Sequence, residues 1–107
     1  MARLTTEFWV SAYLRRLALA DIPAFVVAHG DDTAGAVLIK QSPLDGTATL
    51  YQRSYDLDGT QVWAILAEGA EAEVDASVTR QRGFDRDLWV IEVEDRQGRH
   101  LLGDEGF

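Results

Sequence analysis

The segment GFDRDLWVIEVEDRQGRHLL, residues 83–102, decides the fold more than any other stretch of this chain. Its first residue, Gly83, is typical of the position just after a helix. Residues 88–95 then alternate as a strand does, with three apolar side chains on one face, Trp89, Ile91 and Val93. The turn sequence of residues 95–98 predicts a reversal into a second short strand over residues 99–102. The segment therefore predicts a helix followed by two strands.

Upstream of Gly83, residues 70–82 have the charge pattern of a helix. Acidic side chains lie near the start (Glu71, Glu73 and Asp75) and basic ones near the end (Arg80 and Arg82), which suits the helix macrodipole. The apolar stripe is thin, chiefly Val74 and Val78. We therefore expect this helix to lie at the surface.

Between residues 24 and 67 the sequence predicts four strands, over residues 24–29, 35–42, 47–55 and 60–67, each rich in β-branched or aromatic residues. The connections are short and contain glycine and aspartate, which favours antiparallel neighbours. Alternation over residues 47–55 places Ala48 and Leu50 opposite Tyr51 and Arg53, which predicts a sheet with one buried and one partly wet face.

A first helix is predicted from Thr5 or Thr6, either of which can cap it, to Ala20, with Pro23 ending it. The element order is then αββββαββ. We predict a single α+β domain over residues 1–107, with two helices and a mainly antiparallel sheet of five to six strands.

Composition limits the function. The net charge is −8, and because basic and acidic residues balance up to Arg53, the whole excess lies from Ser54 onward. Such a field repels a phosphate backbone, so nucleic-acid binding is not predicted. The absence of cysteine excludes disulfides, thiolate metal sites and a cysteine nucleophile. Without a signal peptide or a long apolar run, the sequence predicts a soluble cytoplasmic protein that does not contact a membrane.

Three segments carry a resemblance to a known family: FDRDLWVIEVEDRQGRH at 84–100, EFWVSAYLRR at 7–16 and GAVLIKQSPLDGTATLY at 35–51. Together they resemble a family of short bacterial proteins classified only as a domain of unknown function. The resemblance implies a small cytoplasmic bacterial protein and assigns no catalytic residues.

Arginines near the end of the second helix are the first candidate for a ligand site. Guanidinium groups suit carboxylate or phosphate, and we name Arg82, Arg86, Glu92 and His100 as candidate ligand-binding residues of an arginine and acidic pocket. Pairing of these arginines with nearby carboxylates is the favoured alternative. A histidine can act as a general base, but His29 and His100 both lie at strand margins, where an exposed histidine without a catalytic role is usual.

No metal site or cofactor is predicted. The densest acidic set is Asp85, Asp87, Glu92, Glu94 and Asp95, but strand alternation places Glu92 and Glu94 on a different face from Asp95. There is no GxxxxGK[ST] motif for a nucleotide, and no catalytic constellation is recognisable. The sequence favours a protein that is not an enzyme.

Aromatic residues are the second candidate. Trp89 is expected in the core, whereas Trp9 is the tryptophan most expected to be exposed, so Trp9, Tyr51 and Tyr55 are candidate partner-binding residues. Two hypotheses follow. The favoured one is a non-enzymatic protein-interaction module that uses a sheet face or a free edge strand to bind a protein partner or itself. The alternative is a small-ligand or anion-binding domain, possibly enzymatic.

Overall fold

The computed structural model describes residues 4–103 and confirms an α+β fold with two helices and one five-stranded sheet. The elements in chain order are α1 (Thr6–Leu19), β1 (Ala24–Ala28), β2 (Val37–Ser42), β3 (Thr47–Tyr55), β4 (Gln61–Ala70), α2 (Glu71–Phe84) and β5 (Trp89–Glu94). Among residues 4–103, neither helix is long and apolar enough to span a membrane.

The sheet order is β1-β5-β2-β3-β4. The pairs β2–β3 and β3–β4 are antiparallel, as their short connections predict. The same expectation is wrong for β1 and β2, because β5 lies between them, antiparallel to β1 and parallel to β2. The physical reason is in β5 itself: Trp89, Val90, Ile91 and Val93 are all buried, and a strand that is apolar on both faces belongs in the middle of a sheet.

The two helices cover opposite faces of the sheet. Trp9, Tyr13 and Leu17 of α1 pack on Ile39 and Ile91 in one core, whereas Val74 of α2 packs on a second core. That second core holds Leu38, Ala48, Leu50, Leu88 and Val90. The expected partly wet face is confirmed on β3, where Tyr51 is half-buried and Arg53 and Tyr55 are exposed, although α1 covers part of that side of the sheet. The helix α2 does keep a thin stripe, with Val74 buried and Val78 partly buried.

Helix ends follow local hydrogen bonding. Thr5 caps α1 by accepting the backbone N–H of Phe8 at 3.2 Å. Helix α2 starts directly from β4, and the Glu71 N–H donates to the carbonyl of Gly46 at 2.9 Å. Gly83 does not follow the helix as predicted. It lies in the last turn of α2, which extends to Phe84 and ends where Asp85 becomes extended.

The predicted last strand over residues 99–102 does not form. Its backbone donors are used locally: the Arg99 N–H donates to Asp95 Oδ2 at 2.8 Å, and the Leu102 N–H donates to Nδ1 of His100 at 3.0 Å. Leu101 takes a left-handed conformation (φ 58°), which breaks an extended chain. Leu102 instead folds back into the core beside α1.

The loop from His29 to Ala36 crosses the beginning of β5 at very short range. The N–H of Asp31 donates to the carbonyl of Asp87 at 2.9 Å, and the indole N–H of Trp89 donates to the carbonyl of Asp31 at 2.8 Å. A Cβ on Gly30 would overlap the carbonyl oxygen of Asp87, so only glycine fits there. This contact fixes the loop beside the N-terminus of α1.

Candidate functional site

The four candidate ligand-binding residues do not form one pocket. Glu92 lies on the α2 side of the sheet, where its carboxylate contacts Lys40. The ring of His100 lies on the α1 side, 4.8 Å from the ring of Tyr51, and its carbonyl accepts the hydroxyl of Tyr13 at 2.7 Å. The sheet separates these two residues. A shared pocket of Arg82, Arg86, Glu92 and His100 is therefore wrong.

Arg82 and Arg86 are exposed at the end of α2 and in the loop that follows. The sequence favours pairing of these arginines with nearby acids. Within residues 4–103 neither guanidinium has a carboxylate within 4.0 Å, so that expectation is wrong as well.

Glu92 is instead part of a charge cluster around Lys40, a buried residue of β2. Its Nζ lies 2.7 Å from Asp75, 2.9 Å from Glu71 and 3.2 Å from Glu92. Burial alone would lower the pKa of this ammonium, but the hydrogen bonds to Asp75, Glu71 and Glu92 together raise it above its ordinary value. These contacts connect α2 to the central strands β2 and β5. The ammonium group of Lys40 is therefore paired within the protein.

Asp95 follows the last residue of β5 and pairs with Arg99 at 2.9 Å, whereas Glu92 contacts Lys40. That pairing lowers the pKa of the Asp95 carboxyl. Across the described part of the chain, no three His, Asp or Glu side chains are grouped so that they could hold a metal ion.

The two histidines differ in their surroundings. His29 is exposed, its Nε2 lies 2.7 Å from Oδ1 of Asp32, and its ring lies 3.9 Å from the ring of Trp89. His100 is half-buried under α1 rather than exposed, because its ring packs on Tyr51. Burial is also the main reason why the pKa of the neighbouring Tyr13 phenol is raised, with the charge of Tyr51 adding to it.

Trp9 is buried, at 7% exposure, so the expectation that it is the exposed tryptophan is wrong; its neighbour Phe8 is exposed instead. Its ring stacks on Tyr13 at 5.0 Å between centroids and lies 5.6 Å from Trp63 of β4. Trp89 is buried in the core, as predicted. Tyr51 is half-buried, whereas Tyr55 is exposed and its hydroxyl accepts from Gln61 at 3.3 Å.

Arg53 completes this aromatic group. Its Cζ lies 5.0 Å from the ring centroid of Trp9 and 4.9 Å from that of Trp63. Trp63 is the residue directly opposite Arg53 in the β3–β4 ladder, so the two share a face of the sheet. We call Trp9, Trp63 and Arg53 the indole–arginine site.

An open cleft of about 980 Å³ adjoins the indole–arginine site. It lies between the N-terminus of α1, the loop before β2, the β3–β4 hairpin and the C-terminus of α2. Eighteen residues line it: Leu4, Thr5, Thr6, Trp9, Thr33, Ala34, Gly35, Ala36, Val37, Leu38, Gln52, Arg53, Tyr55, Gln61, Trp63, Gln81, Asp85 and Leu88. Arg53 is the one basic residue in this lining among the described residues.

A second unusual surface is the β1 edge of the sheet. Phe25, Val26 and Val27 follow one another along the strand, and their exposed fractions are 53%, 42% and 53%. Runs of exposed apolar residues on an edge strand are typical of interaction surfaces.

Sequence reasoning missed both surfaces. The alternation of Tyr51, Arg53 and Tyr55 predicts that Arg53 shares a face with aromatics, but Trp63 enters the site only through the β3–β4 register. Exposure of Phe25 could not be predicted from the sequence. The composition of residues 24–29 is that of an ordinary strand, and only the strand order shows that β1 lies at the edge of the sheet.

Comparison with known proteins gives one consistent result. Residues 4–103 match the family described as "Protein of unknown function (DUF1491)". A crystal structure of a DUF1491 family protein from Caulobacter crescentus is similar at 40% identity and a TM-score of 0.85, covering 94% of this chain and 96% of that one.

Two solution structures are also similar. One is an NMR structure of a DUF1491 family protein from Caulobacter crescentus, at 39% identity and a TM-score of 0.81, covering 96% of both chains. The other is of a protein from A. tumefaciens, at 32% identity and a TM-score of 0.77, covering 94% of this chain and 93% of that one. No curated protein matches. The chain belongs to the DUF1491 family, whose function is unknown.

Proposed function

We propose that this protein is a non-enzymatic protein-interaction module that works in the bacterial cytoplasm, and that its contact surface is the β1 edge. The partner that this edge fits best is a second copy of the chain. The observation that carries the proposal is the run of exposed apolar residues Phe25, Val26 and Val27 on an edge strand. The cysteine-free composition and the bacterial relatives support the location.

The backbone of β1 has groups available for another strand. The Glu94 N–H donates to the carbonyl of Pro23 at 2.9 Å, and the ladder then pairs Ala24 with Val93 and Val26 with Ile91. In an antiparallel pair, hydrogen-bonded and non-hydrogen-bonded positions alternate. The N–H and C=O groups of Ala24 and Val26 therefore face away from β5, toward the open edge.

A second β1 strand, antiparallel to the first, complements these groups. Pairing centred on Phe25 places Ala24 opposite Val26 of the second copy, so that each donates to and accepts from the other. The two Phe25 rings then face each other, which is a favourable cross-strand pair. Because β1 has the sequence AFVVA, this contact brings no charges together although the whole chain carries −8.

Sedimentation velocity over a range of protein concentrations tests the proposal. A strand-edge contact buries less surface than a permanent dimer needs, so we expect weak dimerisation, roughly micromolar or weaker. Wild-type protein should approach twice the 11.9 kDa monomer mass as its concentration rises.

The matched variants are Phe25→Lys and Ile65→Lys. Both side chains are 53% exposed and both lie on edge strands, β1 and β4 respectively. Phe25→Lys should remain monomeric, whereas Ile65→Lys should dimerise like the wild type. Circular dichroism checks that both variants fold. A wild-type protein that stays monomeric at the highest concentration, or equal effects of the two variants, would contradict the proposal.

A further inference from the structure

The indole–arginine site holds a cation that no acidic group of the described chain neutralises. The guanidinium of Arg53 lies within cation–π distance of Trp9 and Trp63, at 5.0 and 4.9 Å. Among residues 4–103 it has no carboxylate within 4.0 Å and no hydrogen bond to another side chain. Its in-plane N–H donors are therefore available to a ligand.

The electrostatics of Arg53 favour an anion. Partial burial lowers the pKa of Arg53, as expected when a charged group loses part of its hydration. A guanidinium nevertheless stays protonated at neutral pH. An oxyanion that accepts its N–H groups replaces that lost hydration with charge-assisted hydrogen bonds.

The cleft beside Arg53 sets the size of the ligand. Its volume of about 980 Å³ lies at the upper end of the range of roughly 300–1,000 Å³ that small-molecule sites occupy. Its lining includes the apolar side chains Leu4, Ala34, Ala36 and Val37, whereas Leu38 and Leu88 belong mainly to the second core. An apolar ligand body therefore fits better than a fully polar one.

The charge of the lining sets the charge of the ligand. Arg53 is the single basic residue of the lining among the described residues, and Asp85 is its single acid. The N-terminus of α1 offers no additional anion site, because Thr33, Asp32 and Thr5 oxygens accept the N–H groups of Thr6, Glu7 and Phe8. A single cation in this lining suits a monoanion and disfavours a nucleotide or another polyanion.

We propose that the cleft binds a small monocarboxylate with an apolar body, and that Arg53 holds its carboxylate in the plane of the guanidinium beside Trp9 and Trp63. The indole–arginine site lies on α1, β3 and β4, at the other side of the sheet from the β1 edge, and does not depend on the proposed self-association. The overall charge of −8 repels anions in general, so carboxylate binding here requires the local contact with Arg53.

Isothermal titration calorimetry with octanoate and octanamide tests the proposal on the wild-type protein. The two probes have the same apolar body, and only the first carries a charge. Octanoate should bind at least about tenfold more tightly than octanamide, since a hydrogen bond to a charged group contributes enough for that ratio.

Three variants complete the test. Arg53→Gln should weaken octanoate binding at least about tenfold without changing octanamide binding. Arg53→Lys keeps the positive charge but loses the planar guanidinium that can donate two parallel hydrogen bonds, so its affinity for octanoate should be intermediate. Arg96→Gln removes an exposed arginine outside the cleft lining and should bind like the wild type.

Three results would overturn the proposal. One is no octanoate binding to the wild type up to the solubility limit of the probe. A second is equal affinity for octanoate and octanamide, which needs no variant and so holds even if Arg53→Gln fails to fold. The third is a folded Arg53→Gln variant that binds octanoate like the wild type.

Discussion

Lys40 and Arg53 are cations on neighbouring strands, but they differ in burial and in the groups that surround them. Lys40, on the α2 side of the sheet, is 5% exposed and surrounded by three carboxylates within 3.2 Å. Arg53, on the α1 side, is exposed, has two indole rings as neighbours and, among residues 4–103, has no carboxylate within 4.0 Å. The difference lies in the partners that each face of the sheet provides.

The two residues differ in what their charge does: the charge of Lys40 stabilises the fold, whereas the charge of Arg53 is available to a ligand. A buried cation must be paired, because the cost of removing it from water is several kcal/mol. Its pairing therefore indicates stability and not binding. A half-solvated cation on aromatic rings keeps free donors, so it can hold an external anion. Lys40 should matter for folding, and Arg53 for a ligand.

Removal of the Lys40 charge should have the largest effect on stability. Lys40→Met leaves Glu71, Asp75 and Glu92 facing one another without a cation, and we expect a loss of about 3 kcal/mol in the free energy of unfolding. Urea denaturation followed by circular dichroism measures it. A loss below about 1 kcal/mol would show that the three carboxylates do not need Lys40.

Trp9→Leu should follow in size. Trp9 is buried in the core and forms one side of the indole–arginine site, so a smaller side chain leaves a cavity worth about 2 kcal/mol. Unlike Lys40→Met, this variant should also weaken octanoate binding, because Arg53 loses one of its aromatic neighbours. If Trp9→Leu lowered stability and left octanoate binding intact, the aromatic contact would not position Arg53.

Alkaline pH should destabilise the protein. The pKa values of Lys40 and Tyr13 are raised above their ordinary values of 10.5 and 10.0, so folded protein retains protons that the unfolded chain releases. Their contribution is complete below about pH 10 and falls above it, by up to about 1.4 kcal/mol per pH unit for each group. Denaturation midpoints from about pH 9 to about pH 11 measure this slope. Lys40→Met should have a shallower slope than wild type, and an unchanged slope would contradict the prediction.

Arg53→Gln should have the smallest effect on stability. An exposed cation–π contact contributes about 0.5–1 kcal/mol, so the free energy of unfolding should fall by no more than that. The same urea experiment as for Lys40→Met provides the comparison. A loss equal to that of Lys40→Met would mean that Arg53 stabilises the fold as much as Lys40 does, and the two cations would then not differ in role.

Much of the fold could be predicted from residue patterns. The strand over residues 47–55 agrees with the structure at both ends, and Thr5 caps α1 because its hydroxyl is placed to accept an early N–H. The insertion of β5 between β1 and β2 could not be predicted from loop lengths, since it depends on a pairing between strands far apart in sequence. Residues 99–102 have strand-like composition, but the N–H groups of Arg99 and Leu102 donate to the side chains of Asp95 and His100.

The sites were less predictable than the fold. The predicted ligand set includes both Glu92 and His100, whereas the sheet places them on opposite faces. The sequence reveals that Lys40 lies within a strand, but its three partners come from β5 and α2. The flank of the apolar stripe of α1, next to Phe8, predicts that Trp9 is exposed, whereas its contact with Trp63 of β4 depends on tertiary packing.

The contrast between the two cations is tested most directly by NMR of their own N–H groups. Arg53 Nε–Hε and Lys40 Nζ signals, assigned with Arg53→Gln and Lys40→Met, are followed while octanoate or octanamide is added. We predict that octanoate shifts the Arg53 signal to saturation, that octanamide shifts it little, and that the Lys40 signal does not move. An Arg53 signal that stays unchanged under octanoate, or responds equally to both probes, would contradict the conclusion that this charge is available to a ligand.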